Sequence, residues 1–304
     1  LKKLLSFLAI TCLAAATFAA QSITWTDYAS NPLTIPLPGS YTRAYMPTVV
    51  YNASWTKPYK MWFDVNSYIG VIAVVESSDG ITWTTLGVGT CTGIDTTGSR
   101  PNVVYVPSAP KPYRMYYTTN VSPYPNRTAV SSDGITFSED TPTFSTGGQW
   151  SDGHAVCYDN GVYHMIVQMN SSFAHATSTD GISFSTTGMA PAMTGTTDQP
   201  SCLVKVSNND WRLFSYSSNT ALRYSTSTDG VTFTSAEFPI STVGATGAAG
   251  TWNEARNYFS SVVYTGNGNF KMWRSGATPP TSVYRLGYAT GVDSALDISE
   301  WSLY

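Results

Sequence analysis

Six ionisable side chains hold matching places in a chain that has few of them. Arg43, Arg100, Asp152, Asp198, Glu254 and Arg256 each stand just ahead of a short apolar run, while only 12% of the 304 residues are charged. The runs read Pro47-Thr-Val-Val-Tyr51, Asn102-Val-Val-Tyr105, Ala155-Val-Cys-Tyr158, Ser201-Cys-Leu-Val204 and Ser261-Val-Val-Tyr264. Solvated surface charge has no reason to keep this phase, whereas ionisable groups gathered at one place mark a binding or catalytic site. Asp152, Asp198 and Glu254 are the candidates for acid–base chemistry, in which one carboxyl keeps a proton while another is ionised. The competing reading is structural, with these groups capping strands and pairing to hold neighbouring units together.

The elements that must position them are repeats. Ser77-Ser-Asp-Gly-Ile-Thr-Trp-Thr84 recurs as Ser131-Ser-Asp-Gly-Ile-Thr-Phe-Ser138, Ser178-Thr-Asp-Gly-Ile-Ser-Phe-Ser185 and Ser227-Thr-Asp-Gly-Val-Thr-Phe-Thr234. A second word runs in step: Tyr59-Lys-Met-Trp-Phe63, Tyr113-Arg-Met-Tyr-Tyr117, Tyr163-His-Met-Ile-Val167, Trp211-Arg-Leu-Phe-Ser215 and Phe270-Lys-Met-Trp-Arg274. A degraded first word, Tyr288-Ala-Thr-Gly-Val-Asp293, follows the fifth copy. Aromatic and β-branched runs of this length are strand chemistry, and Asp-Gly between them predicts a type I′ hairpin turn. Units of about 40–55 residues built from short strands predict propeller blades. The fold class expected is therefore all-β, a five-bladed propeller of four-stranded antiparallel blades. Two stretches compete to complete the last blade, Ser22–Thr26 and Ile298–Ser302; the second is favoured because it follows in the usual blade order. Lys60, Arg114, His164, Arg212 and Lys271 fill one slot of every second word, which blade architecture explains better than a site does.

Composition narrows the class. Aromatic residues make up 13% and the net charge is −3, without the basic stripe that nucleic acid requires. Residues 1–20 read as a secretory signal peptide: Leu1-Lys-Lys-Leu-Leu is a basic start, an apolar core follows, and Thr17-Phe-Ala-Ala20 is a small-residue exit. Residues 21–304 then form a single secreted domain with no membrane segment after cleavage. Cys91, Cys157 and Cys202 remain, an odd number, with a Cys157–Cys202 bridge and two buried thiols as the alternatives. Their spacing offers no zinc site. No cofactor is indicated, and a channel calcium ion, though compatible with a propeller, has no ligand pattern of its own.

At these residues the chain comes to resemble a known group. Asn31-Pro-Leu-Thr-Ile-Pro36, Pro47-Thr-Val-Val-Tyr51, Tyr59-Lys-Met-Trp-Phe63 and Ser78-Asp-Gly-Ile-Thr-Trp83 are similar to the first blade of the five-bladed arabinanase/levansucrase/invertase superfamily. Glycoside hydrolase families 43, 32 and 130 belong to it. The resemblance implies three carboxylates from different blades at one mouth of the channel, acting on carbohydrate. Asp152 matches the orienting aspartate of a middle blade and Asp198 the general acid. At the first-blade base position this chain has Arg43-Ala-Tyr-Met-Pro47 with no carboxylate, leaving Asp27 or Glu254 as substitutes. Arg43, Tyr45, Arg100, His154 and Arg256 would contact substrate. Trp150 and Trp252 would stack on a pyranose face or wedge between blades. The missing base keeps open a second class of function, a non-catalytic glycan-binding or self-assembling extracellular protein.

Overall fold

The computed structural model describes residues 23–65, 70–119, 126–144, 154–169, 172–190, 199–218, 220–234, 238–240, 243–279 and 283–296. The apolar runs become the innermost strand of each sheet and the second words become its neighbour. Blade one comprises β2 (Tyr45–Tyr51), β3 (Tyr59–Asp64), β4 (Ile72–Ser77) and β5 (Trp83–Thr90). Blade two comprises β6 (Gly98–Tyr105), β7 (Tyr113–Thr119), β8 (Asn126–Ser131) and β9 (Phe137–Phe144). Blade three runs β10 (His154–Asp159), β11 (Val162–Met169), β12 (Ser172–Ser178) and β13 (Ser185–Ala190). Blade four runs β14 (Gln199–Ser207), β15 (Asp210–Ser217), β16 (Ala221–Ser227) and the short β17 (Phe238–Pro239). Blade five holds β18 (Arg256–Gly266), β19 (Asn269–Thr278) and β20 (Val283–Val292), joined on the outside by β1 (Thr24–Asp27). All pairings within the blades are antiparallel, and among the described residues the only helical piece is a turn at Ser294–Leu296. The inner strands close a ring: β2 packs on β6 and β18, β10 on β6 and β14, and β14 on β18. They enclose a cavity of about 230 Å³ lined by residues such as Thr48, Asn102, Cys157 and Ser261.

Among the described residues no strand of one blade pairs with a strand of the next, so side chains do most of the joining. Three second-word aromatics donate to the glycine carbonyl of the next blade's Asp-Gly turn: Trp62 to Gly134 at 2.7 Å, Tyr116 to Gly181 at 2.9 Å and Trp273 to Gly80 at 2.8 Å. Ile166 and Phe214 fill the same slot with apolar contacts only; Phe214 meets Trp25 edge-on. The repeated basic residue also reaches forward. Lys60 lies 4.8 Å from the Tyr113 ring centroid, Arg114 5.5 Å from Tyr163, His164 5.1 Å from Trp211 and Lys271 4.5 Å from Tyr59. Arg212 instead bonds Asp293 of blade five at 3.0 Å. The slot is thus architectural, as its repetition suggested. Along the channel, Thr48, Cys202 and Ser261 accept the N–H of Val103, Val262 and Val49 in the following blade. Cys157 and Cys202 are free thiols rather than a bridge, and burial pushes their pKa values up to about 12 and about 11.

Two expectations need correction. The Asp-Gly words are not two-residue type I′ turns. Ser77 pairs with Trp83, leaving five residues in the loop, and of Asp79 and Gly80 only the glycine has positive φ, at 83°. The aspartate closes the loop itself: Asp79 Oδ1 accepts the N–H groups of Ile81 and Thr82 at 2.7 Å, while Ser77 Oγ accepts that of Gly80. The same bonds recur at Asp133, Asp180 and Asp229. An Asx-type closure satisfies backbone donors that a tight hairpin would pair across the strands. The second correction concerns closure of the ring. Ile298–Ser302 lies outside the described residues, and the outer place in blade five belongs to β1, paired along Thr24–Asp27 with Val292–Ala289. Trp25 explains the choice, lying 6.3 Å from both Phe214 and Phe270, and Asp27 forks onto the fully buried Arg274 at 2.9–3.0 Å.

Trp62→Phe keeps an aromatic ring but leaves the Gly134 carbonyl only the weak Cys91 thiol donor, and chemical denaturation should show a loss of about 1–3 kcal/mol with the β-sheet circular-dichroism signal unchanged. Asp27→Ala leaves the Arg274 guanidinium buried without its counter-charge. Because Asp27 is itself half exposed, a loss of about 1–3 kcal/mol is expected, below that of a fully buried pair, and thermal unfolding of the variant measures it.

Candidate functional site

All five inner strands begin at one mouth of the channel, at Tyr45, Gly98, His154, Gln199 and Arg256. Near that end, three of them carry a bulge with a non-glycine residue at positive φ: Met46 at 53°, Arg100 at 57° and Phe259 at 43°. A bulge turns a side chain out of the strand's alternation, and this backbone is costly for any residue with a Cβ. The sixth place of the second word supports two of them. Ser275 Oγ accepts the Met46 N–H at 2.8 Å, and Asp64 Oδ2 accepts the Arg100 N–H at 3.1 Å.

Asp64 was not among the residues singled out from sequence, and it is the departure that matters. A hydroxyl does the structural work at Ser275; at Asp64 a carboxyl does it and has an oxygen to spare. Oδ1 is buried and has no hydrogen-bond partner. Burial drives the Asp64 pKa up to about 7, against the Arg100 N–H and the Arg100 charge, which favour ionisation. His154 is a second departure, at the inner-strand place held by Pro47, Pro101, Ser201 and Ser260 in the other blades. It is fully buried with neither ring nitrogen hydrogen-bonded. Burial lowers its pKa to about 4, opposed by the Tyr116 backbone and reinforced by the Arg100 charge. Asp64, Arg100 and His154 thus come from blades one, two and three and lie within electrostatic reach of Arg100. Comparing the sixth place of the second word across blades (Asp64, Thr118, Gln168, Tyr216, Ser275) was the sequence signal that would have revealed the acid.

The opposite side of the mouth is aromatic and cationic. Tyr45 stacks on Tyr284 at 4.9 Å, Tyr284 meets Tyr258 at 6.0 Å, and Tyr258 meets Tyr216 at 5.6 Å. Arg43 and Arg256 both approach the Tyr284 ring, at 6.0 and 5.7 Å. Arg43, Tyr45 and Arg256 therefore meet around Tyr284, and Arg100 and His154 lie within electrostatic reach of each other. Two other residues have contacts of their own. Glu254 turns back to accept the Gly250 N–H at 2.7 Å, closing its own loop. Trp252 lies on blade five, where a Cβ at Gly276 or Gly287 would come within 2.3 Å of its ring. Asp27, the other possible base, is committed to Arg274. Asp152, Asp198 and Trp150 lie outside the described residues. Among the described residues no group of three or more metal-ligating side chains converges, and no helix is long and apolar enough to cross a membrane.

The raised Asp64 pKa has a pH signature. The folded protein keeps this proton to about pH 7, while the unfolded chain releases it near pH 4. Stability from this group is therefore greatest at low pH, declines as pH rises between those values and is level above them. Asp64→Ser retains an acceptor for Arg100 and cannot titrate. Relative to the parent, denaturation should show the variant gaining at most about 4 kcal/mol between pH 4 and pH 8.

No protein-family model matches the chain, and no curated protein matches it in sequence. Solved structures do match in fold. A β-fructofuranosidase from Schwanniomyces occidentalis complexed with fructosyl-erythritol aligns at TM-score 0.61 and 14% identity, over 85% of this chain and 58% of that one. This chain thus spans little more than half of that enzyme. An endo-1,4-β-xylanase from Bacteroides thetaiotaomicron aligns at 0.58 and 15%, over 82% and 90% of the two chains. The β-xylosidase/α-arabinofuranosidase CoXyl43 of glycoside hydrolase family 43, from a compost metagenome and complexed with xylotriose, aligns at 0.57 and 14%, over 82% and 91%. Five four-stranded blades and these alignments show that the chain has the five-bladed β-propeller fold that these solved enzymes share.

Proposed function

We propose that this is a secreted glycoside hydrolase-like protein that takes a polysaccharide at the channel mouth. The observation carrying the reading is the break in the repeat around Arg100. An architecture that uses Thr, Gln, Tyr, Ser and Pro at the equivalent places of other blades spends burial energy on Asp64 and His154, in the two blades that flank Arg100. Departures from local rules at a cost in stability are expected at functional sites. Asp64 acts here as a positioning residue: by accepting the Arg100 N–H it holds the bulge that aims the guanidinium. Arg43 and Arg256 bind sugar hydroxyls around it, while Tyr45 and His154, both buried, act through packing. The reacting carboxylates in this reading are Asp152 and Asp198, which directly precede the inner strands β10 and β14 in sequence. Asp198 is the proton donor, since its motif contains no arginine, and Asp152 is its orienting partner. The glycosidase neighbours support carbohydrate as the substrate class.

One observation favours a second reading, glycan binding without hydrolysis. The blade-one strand opens on Arg43-Ala-Tyr45, with Tyr45 stacked under Tyr284, where the resemblance requires a base. An activity screen on arabinan, xylan, fructan and mannosides separates the two. Turnover that Asp198→Asn abolishes, with the melting temperature nearly unchanged, is the expected result. Retention of a polymer without reducing-end release selects the binding reading, and neither binding nor release on any of them overturns both.

A further inference from the structure

A pocket of about 370 Å³ on blade five, lined by none of the mouth residues, is walled by Asn31, Thr251, Trp252, Thr278 and Arg285. Strand register builds it. Gly276 pairs with Arg285 and Arg274 with Gly287 across β19 and β20, and directly paired residues share a face. Arg274, Gly276, Thr278, Arg285 and Gly287 therefore line one face of the sheet. The two glycines leave room for Trp252, whose ring lies flat enough on their backbone that no side chain fits beneath it. The Arg274 guanidinium sits 5.1 Å from the ring centroid and is pinned by Asp27. Asn31 forms a fixed wall, its amide spent on Asp27 and on both backbone groups of Tyr288.

Trp252 is thus a locked, half-buried aromatic platform. Beside it, exposed Arg285 makes no hydrogen bond or ion pair among the described residues. Structural demands explain the wedge but not the cation. A guanidinium fork next to a rigid ring matches one ligand chemistry, a pyranose whose C–H face stacks on the indole and whose carboxylate takes two parallel N–H bonds. We propose that this pocket is a second carbohydrate site, for a uronic-acid residue of an acidic polysaccharide. The mouth residues take no part in its lining, and it does not depend on turnover there.

Calorimetric titration of the full chain with trigalacturonate and with its methyl ester tests this. The acid should bind, with the ester at least about tenfold weaker, and added salt should weaken the acid alone. Trp252→Ala risks unfolding by emptying the space over Gly276 and Gly287, so the decisive variant is the exposed Arg285→Ala. It should lower affinity for the acid about tenfold and leave the ester unchanged, with Arg285→Lys recovering part of the loss. Equal affinity for acid and ester, acid binding indifferent to Arg285→Ala, or no acid binding would each overturn the proposal. Failure here leaves the mouth reading standing, because that reading is judged by product release.

Discussion

Side-chain hydrogen bonds between blades hold this protein in one piece. Five antiparallel sheets that pair no strand with the next blade's would otherwise meet largely through apolar packing, which is non-directional and sets no register. Trp62, Tyr116 and Trp273 remove that freedom by anchoring on the glycine carbonyl of the next blade, and Thr48, Cys202 and Ser261 do so along the channel. These bonds are specific and all but the part-buried Cys202 bond are buried, so neighbouring blades cannot slide without stranding a polar group. The glycine of each Asp-Gly word serves twice here. It supplies the positive φ of the loop and lets the neighbouring aromatic approach; a Cβ at Gly80 would meet Trp273 at 2.8 Å.

This architecture fixes how the mouth is made. Because inner strands are joined by side chains rather than a ladder, their leading ends can bulge without breaking a sheet, and Met46, Arg100 and Phe259 do. The repeat supplies a holder for the bulge, and replacing that holder's hydroxyl with a carboxyl at Asp64 turns a structural part into an ionisable one. Low dielectric does the rest. Burial keeps Asp64 protonated toward neutrality and His154 unprotonated, so at mildly acidic pH two titratable groups beside Arg100 are neutral where their exposed counterparts would be charged.

Ring closure follows the same logic of satisfied groups. Blade five lacks an outer strand of its own among the described residues, and β1 brings it Trp25 for the apolar seam with blade four and Asp27 for the buried Arg274. The segment after β1 then climbs beside β20 through Tyr28, Leu33 and Ala44, bonding Tyr288, Leu286 and Tyr284 before entering blade one. First and last blades are thereby tied by continuous chain.

Sequence by itself determined the fold, because repeats in phase at strand-and-turn length leave few ways to bury so many aromatic residues, and a closed ring of five is one. It also placed Arg43, Tyr45, Arg100, His154 and Arg256 at the leading ends of the inner strands, since equal places in a cyclic repeat share one end of the ring. It marked the basic slot from Lys60 to Lys271 as architecture for the same reason. Tertiary structure alone decided what depends on a particular partner. Glu254 had a carboxyl in the right phase, yet its own loop offers the Gly250 N–H first. Trp252 stood next to the mouth in sequence, but two glycines on β19 and β20 gave its ring a better seat. Closure by β1 rather than a C-terminal strand rested on Trp25 and Asp27 finding Phe214 and Arg274, contacts spanning nearly the whole chain. Asp64 read as the end of an apolar strand, and only its burial against the Arg100 backbone made it a titrating group, because desolvation belongs to a place in the fold and not to a residue type.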